Sequence, residues 1–326
     1  MMIGLKETFF VISLAISSIQ AFAQEDLLSM LDSAETVKIH EKVTATFKGG
    51  KVINMQSVET VKAKTLDFNV THRFSNIGGA SGGGPHTFFG LDNSTDIRIA
   101  FDFGITDKLT IGIGRSKQKE DIDGLAKYRI FSQTTDNHIP ISITLYGDMS
   151  YSAQTESQFY KEVKTNSGLK HTDIHRFAYT GQVLIARKFS SSFSMEIVPT
   201  FQHRNFVIAY INENNGAAET NDLFSMGAGF RYKITKRFSI IADYYYTFSK
   251  YRTNNKLNPF YNPLALGIEI ETGGHVFHIN YTNASGIIEN NYLPNTTDSW
   301  LKGGYKWGFN ISRVFYLGHK KPVEQK

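Results

Sequence analysis

The 326-residue chain has no cysteine and only 7 prolines. The first absence excludes disulfide scaffolds, thiolate metal sites, cysteine nucleophiles and cysteine-linked lipid anchors. Long apolar runs are missing too. Beyond the extreme N-terminus nothing approaches the ~18 residues that a membrane-spanning helix needs, and mean hydropathy is -0.26. Charge of one sign is in small excess: 35 Lys and Arg lie scattered among 30 Asp and Glu, a formal +5. No basic stripe of the kind that grips nucleic acid is present, so no nucleic-acid partner is expected. What remains is ample for one large domain, with 41% hydrophobic residues, 25 Phe, 16 Tyr and 27 Gly.

The start of the chain reads as an export signal. Lys6 precedes the apolar run from Phe9 to Ile19, which is too short to span a bilayer, and Ala21-Phe22-Ala23 forms a small-x-small cleavage site. Residues 1–23 are therefore expected to be removed, placing the mature protein beyond the inner membrane of a Gram-negative cell.

The rest of the chain is dominated by period two, the repeat of a strand with two unlike faces. Leu66, Phe68 and Val70 alternate with Asp67, Asn69 and Thr71; Ile99, Phe101 and Phe103 alternate with Arg98, Ala100 and Asp102. Toward the end, Tyr305, Trp307, Phe309 and Ile311 alternate with Lys306, Gly308, Asn310 and Ser312. Breaks in the pattern divide it into about twelve strands, within roughly 10 to 14, running from about 64–75 to about 299–315 and including 138–151, 171–188 and 192–211. Most are long enough to cross a bilayer at a tilt.

Connection lengths alternate as well. Short turns fall at Thr106-Asp107, near 135–137, at Ser190-Ser191, at Thr235-Lys236 and at 272–274, and the first and fourth share a pattern, Ile-Thr-x-x-[Leu/Phe]. Between them lie mostly longer polar loops, at 75–94, 117–121, 152–170, 212–221, 251–262 and 285–298. Short turns on one rim and long loops on the other, with an even strand number, predict a single antiparallel up-and-down transmembrane β-barrel. Its short turns would face the periplasm. The aromatics near strand ends, such as Tyr244, Tyr246 and Tyr251, suit the lipid headgroup level.

A sheet satisfies every backbone polar group inside hydrocarbon only by closing on itself. Charges on its lipid face are costly, so the charged members of the polar rows should face the lumen: Asp67, Arg98, Asp102, Lys127, Arg129, Glu196, Asp243, Glu269 and Glu271. Arg313 departs from this parity near a strand end, where it can snorkel.

The stretches Ala45-Thr46-Phe47-Lys48 through Val52-Ile53-Asn54, Thr65-Leu66-Asp67-Phe68 to Thr71-His72-Arg73-Phe74, Phe88-Phe89-Gly90-Leu91-Asp92, and Phe103-Gly104-Ile105-Thr106-Asp107-Lys108-Leu109 through Arg115-Ser116 resemble a family of membrane-bound β-barrels of Bacteroidota-type bacteria. The resemblance is most specific over residues 45–131 and implies an outer-membrane barrel in contact with outer-membrane lipid. That family, a domain of unknown function, carries no assigned activity, so no functional residues transfer.

The expected organisation is a signal at 1–23, a periplasmic or plug-like segment at 24–63, the barrel at 64–317 and a periplasmic tail at 318–326. A short amphipathic turn is expected around Leu27, Leu28 and Leu31, and extended chain at 44–47 and 51–53. Two functional readings follow: a narrow channel or small-solute transporter (or a barrel with no throughput), and alternatively a surface-loop hydrolase, protease or adhesin. The second would use Asp121-x-Asp123 against Asp173-x-His175, although Asp173 and His175 carry the lipid-facing parity. No histidine has serine two positions on, as a phospholipase-type pair would require. His171 and His175 lack the helical setting that i, i+4 zinc ligands need, and Gly78–Pro85 lacks the Lys-Ser/Thr ending of a phosphate loop. No cofactor, metal or catalytic residue is expected, and the oligomeric state is left open.

Overall fold

A computed structural model describes residues 40–79, 82–163 and 168–318. The expected export signal, the turn around Leu27 to Leu31 and the tail beyond 318 lie outside the described residues. The barrel belongs to the unit Lys42–Lys326.

Among the described residues twelve strands form: β1 Thr65–Asn76, β2 Ser94–Gly104, β3 Leu109–Ser116, β4 Asp121–Phe131, β5 Ser142–Ser152, β6 Phe177–Lys188, β7 Phe193–Arg204, β8 Asp222–Lys233, β9 Phe238–Phe248, β10 Leu264–Thr272, β11 His275–Thr282 and β12 Lys306–Tyr316. Each pairs antiparallel with its sequence neighbours. β1 pairs with β12, from Thr65 opposite Tyr316 to Asn76 opposite Lys306, and closes the barrel.

The walls invert the burial order of a water-soluble protein. Ile113 (57%) and Phe224 (59%) are exposed on the outer surface, while Thr144 and Gln202 (both 0%) are buried inside. Along β5 the buried residues are Ser142, Thr144, Tyr146, Asp148, Ser150 and Ser152, and the intervening Leu145, Gly147 and Met149 are exposed. A surface of this kind is stable only against hydrocarbon.

Three connections on the short-turn rim share one chemistry. Thr106, Ser190 and Thr235 each accept, through the side-chain oxygen, the backbone N–H groups two and three residues on. The backbone closes each turn with the same pair of bonds, as from Ile105 and Thr106 to the Leu109 carbonyl at 2.9 and 3.2 Å. The repeated Thr of the sequence is thus a hydroxyl that closes a hairpin locally, and Ser190 does the same work without matching the pattern.

Four strand limits differ from expectation. β5 begins at Ser142 rather than near 138, because 134–139 closes a turn of its own, with Thr134 N–H on the Ile139 carbonyl (2.9 Å) and Ile139 N–H on the Thr134 hydroxyl (3.0 Å). β6 begins at Phe177 rather than 171, after a 3-10 turn at Asp173–Arg176. β7 ends at Arg204 rather than 211, where Asn205 folds back onto the Phe177 and Ile174 carbonyls. β12 begins at Lys306 rather than 299, following a 3-10 turn at Trp300–Lys302 that ends on left-handed Gly303.

Candidate functional site

The lumen is filled from both rims. From the short-turn rim, residues preceding β1 fold into a tight hairpin: Ser57 N–H reaches the Gly50 carbonyl (2.9 Å) and Val52 N–H reaches Met55 (2.8 Å). Its apolar residues Val52, Ile53, Met55 and Val58 join Phe47 in a buried cluster with Leu125, Leu184, Ile241 and Tyr245 of the wall. Room for Met55 comes from two inward glycines of β8. A Cβ at Gly227 would lie 2.6 Å from Met55 Cε and 2.5 Å from the Tyr245 ring, and one at Gly229 would lie 2.9 Å from Met55 Sδ.

Charged wall residues hold the hairpin backbone. One carboxylate oxygen of Asp243 on β9 accepts three consecutive N–H groups, those of Ile53 (2.9 Å), Asn54 (2.8 Å) and Met55 (3.2 Å). Glu196 on β7 accepts from Val58 N–H (3.1 Å). Lys127 on β4 donates to the Gly50 (2.6 Å) and Ser57 (3.2 Å) carbonyls, and Arg129 to the Glu59 carboxylate (2.8 Å). Arg73 of β1 and Asn310 of β12 clasp Asn54 Oδ1 (3.1 Å) and the Ile53 carbonyl (3.0 Å). Backbone groups at a buried turn need such partners, since an unpaired one costs about 1–3 kcal/mol.

From the long-loop rim, the connection 283–305 dips inward and forms a short helix, Glu289–Asn295, whose first six residues are buried. It was expected as an external loop. Its polar side chains find partners on the wall: Asn290 donates to Asp148 (3.0 Å) and Ser150 (2.9 Å) and accepts from Thr180 (2.9 Å) and Gln202 (2.8 Å), while Asn291 donates to Asp121 (2.9 Å). Arg252, in the loop after β9, donates to the Pro294 carbonyl (2.9 Å) and to Glu219 (2.9 Å). Burial lowers its pKa from the usual arginine value, opposed by the Glu219 charge.

The two insertions meet. Gln56 at the hairpin donates to the Glu289 carboxylate (3.1 Å) and to Tyr146 OH (3.3 Å), and Lys51 donates to the Ile287 carbonyl (3.1 Å). A void of about 30 Å3 remains between hairpin and wall, lined in part by Lys51, Arg98, Asp102 and His278. That is space for roughly two waters, not a passage.

The nine charges singled out from the sequence divide between this site and the wall. Asp243, Glu196, Lys127 and Arg129 grip the hairpin. Glu271 pairs with Lys48 (2.8 Å) and shares Arg231 with Glu269, at 2.6 and 2.7 Å. Arg98 forms a two-pronged pair with buried Asp123 of β4, and Asp102 accepts from Asn69 (3.2 Å). Asp67 is buried on β1. Sequence reasoning passed over Arg73, Glu289 and Asn290. Arg73 has the inward parity and could have been named; the other two sit where no periodicity marks them.

The residues of the enzymatic alternative are otherwise engaged. Asp121 accepts from Asn291, Asp123 is bound by Arg98, Asp173 is exposed beside Arg176 (3.4 Å), and His175 bonds Tyr160 OH (2.9 Å). His171 stacks on the Tyr160 ring at 3.9 Å. No metal-binding cluster occurs among the described residues.

Fold and lumen together define a closed antiparallel barrel with a lipid-facing exterior and an occupied, polar interior. Residues 47–315 match the family described as "Membrane bound beta barrel domain (DUF5777)", and the chain belongs to that family. The matched span includes the hairpin. No curated protein matches the chain. Among solved structures it is similar to the NanC porin (9% identity, TM-score 0.43, 77% of this chain and 98% of that one) and to the KdgM porin in complex with disordered oligogalacturonate (8%, 0.42, 77% and 99%). An outer membrane channel from Pseudomonas putida is similar at 10% identity and TM-score 0.41, covering 79% and 98%.

Proposed function

We propose that this protein is an outer-membrane channel for small solutes, closed at rest by the hairpin and the inserted helix, with its short turns in the periplasm. The observation that carries the reading is the kind of contact holding the hairpin. Asp243, Glu196, Lys127 and Arg73 bond its backbone and amide groups, and water can replace each of these bonds when the hairpin leaves. A wall of twelve strands encloses more space than the eight-stranded barrels that side chains can fill, so withdrawal would leave a hydrated bore. Export by the signal at residues 1–23 and contact with outer-membrane lipid belong to the same reading.

The test is planar-bilayer recording of three forms: the intact chain, a form lacking residues 47–59, and one that also has 286–298 replaced by a short Gly-Ser linker. Conductance should be lowest in the first and highest in the third. A third form that still shows heat-modifiable gel mobility, and so is folded, yet passes no current would sink the proposal in favour of a barrel without throughput.

A further inference from the structure

Beside the inserted helix, on the long-loop rim, lies a cavity of about 280 Å3 between the end of β9 and the loop that follows it. This is near the lower end of the range of ~300–1,000 Å3 for small-molecule sites. Its walls combine the rings of Tyr246, Phe260 and Tyr261 with the polar groups of Thr253, Asn254 and Asn262, and Leu293 of the inserted helix also lines it.

The charge in this lining is already spent. Arg252 uses its guanidinium on Glu219 (2.9 Å), the Pro294 carbonyl (2.9 and 3.2 Å) and Ser249 (3.3 Å), and its Cζ lies 4.8 Å from the Phe260 ring centre. No second cationic side chain lines the cavity, and the Arg252 charge is already neutralised by Glu219. The polar rim is held in place: Tyr261 N–H bonds the Thr296 carbonyl (2.9 Å), and Asn262 accepts from Thr247 N–H (3.2 Å) while donating to Tyr244 OH (2.9 Å). Asn254 sits at a left-handed φ of 51°, with its carbonyl fixed by Asn214 (2.6 Å). Such prior ordering lowers the cost of binding.

We propose that this cavity binds an uncharged saccharide. Sugar rings offer an apolar C–H face to aromatic rings and in-plane hydroxyls to carboxamides and alcohols, which is the combination lined up here. Tyr244 and Tyr246 belong to the exposed outer row of β9, so the cavity borders the lipid-facing surface and the sugar can be free or the headgroup of a glycolipid. The assignment stands whether or not the lumen opens.

Full-length protein in an amine-oxide detergent, which carries no sugar, would be titrated with maltotetraose, laminaritetraose and chitotetraose, and in mixed micelles with monoglucosyl diacylglycerol, with tetragalacturonate as the acidic comparison. Saturation-transfer NMR and calorimetry should find at least one neutral probe bound. Binding should weaken at least about tenfold in Phe260→Ala/Tyr261→Ala, with heat-modifiable mobility unchanged, and tetragalacturonate should bind less tightly. Binding by the glycolipid alone assigns the site to the membrane; binding by a free tetrasaccharide assigns it to solution. Failure of all four neutral probes, equal binding by the double variant, or tighter binding of tetragalacturonate would overturn the assignment.

Discussion

Gln56 and Glu289 are 233 positions apart in sequence, and their side chains meet inside the barrel at 3.1 Å, Nε2 donating to a carboxylate oxygen. One belongs to the hairpin entering from the short-turn rim and the other to the helix entering from the long-loop rim. Gln56→Ala should leave the buried Glu289 with one bond fewer, and Lys51 on the Ile287 carbonyl and Tyr292 OH on the Asn54 carbonyl (3.5 Å) as the remaining polar ties between hairpin and helix connection. Docking should weaken by about 1.5–3 kcal/mol, seen as faster amide exchange both at 50–58 and at 289–295. Faster exchange in only one segment would mean that the two insertions are energetically independent.

Asp243 has the larger effect. Asp243→Ala strands three buried N–H groups at the hairpin tip, costing the docked state about 3 kcal/mol or more, roughly a hundredfold in undocked population. The chain has no cysteine, so Ser57→Cys, at a fully buried position, gives a clean reporter. Its thiol should react with a water-soluble maleimide far faster in the Asp243→Ala background.

A bulky residue in the wall should expel the hairpin by volume alone. Gly229→Ile places side-chain atoms where Met55 and Val52 now sit, and overpacking of this kind costs about 1–3 kcal/mol. Conductance and Ser57→Cys labelling should both rise, and Met55→Ala in the same chain should restore closure.

The Arg98–Asp123 pair is buried in the wall. Arg98→Leu leaves a lone buried carboxylate and should lower stability by about 3–5 kcal/mol, whereas Arg98→Leu/Asp123→Leu should recover most of it. Urea titration of the folded barrel in lipid vesicles measures both.

On the outer face, Ile113→Arg should cost about 2–4 kcal/mol, because the charge sits in the hydrocarbon. Arg313, by contrast, lies near the end of β12 with its guanidinium over the Phe315 ring at 4.8 Å, and Arg313→Leu should change stability by less than about 1 kcal/mol. Vesicle refolding curves of the two variants provide the comparison.

The strands were legible because each carries two unlike surroundings along its whole length, and alternation records that directly. The lumen-side charges were legible for the same reason: Asp243 and Glu196 share a parity with Ser239 and Ser194. The inserted helix was not. Glu289–Asn295 makes about two turns and contains Pro294, and its Asn-Asn pair, normally a loop signature, is satisfied by wall residues from four strands. The hairpin was half legible: extended chain at 51–53 was expected, but its burial depends on Gly227 and Gly229, far away in sequence, leaving space.

The two obstructions are threaded through opposite mouths, and each returns to the mouth it entered by. Under the proposed orientation, a pull from the cell side can extract only the hairpin and an event outside can lift only the helix. The barrel is then built like an airlock with one door per compartment, latched together by the Gln56 amide, the Lys51 ammonium and the Tyr292 hydroxyl.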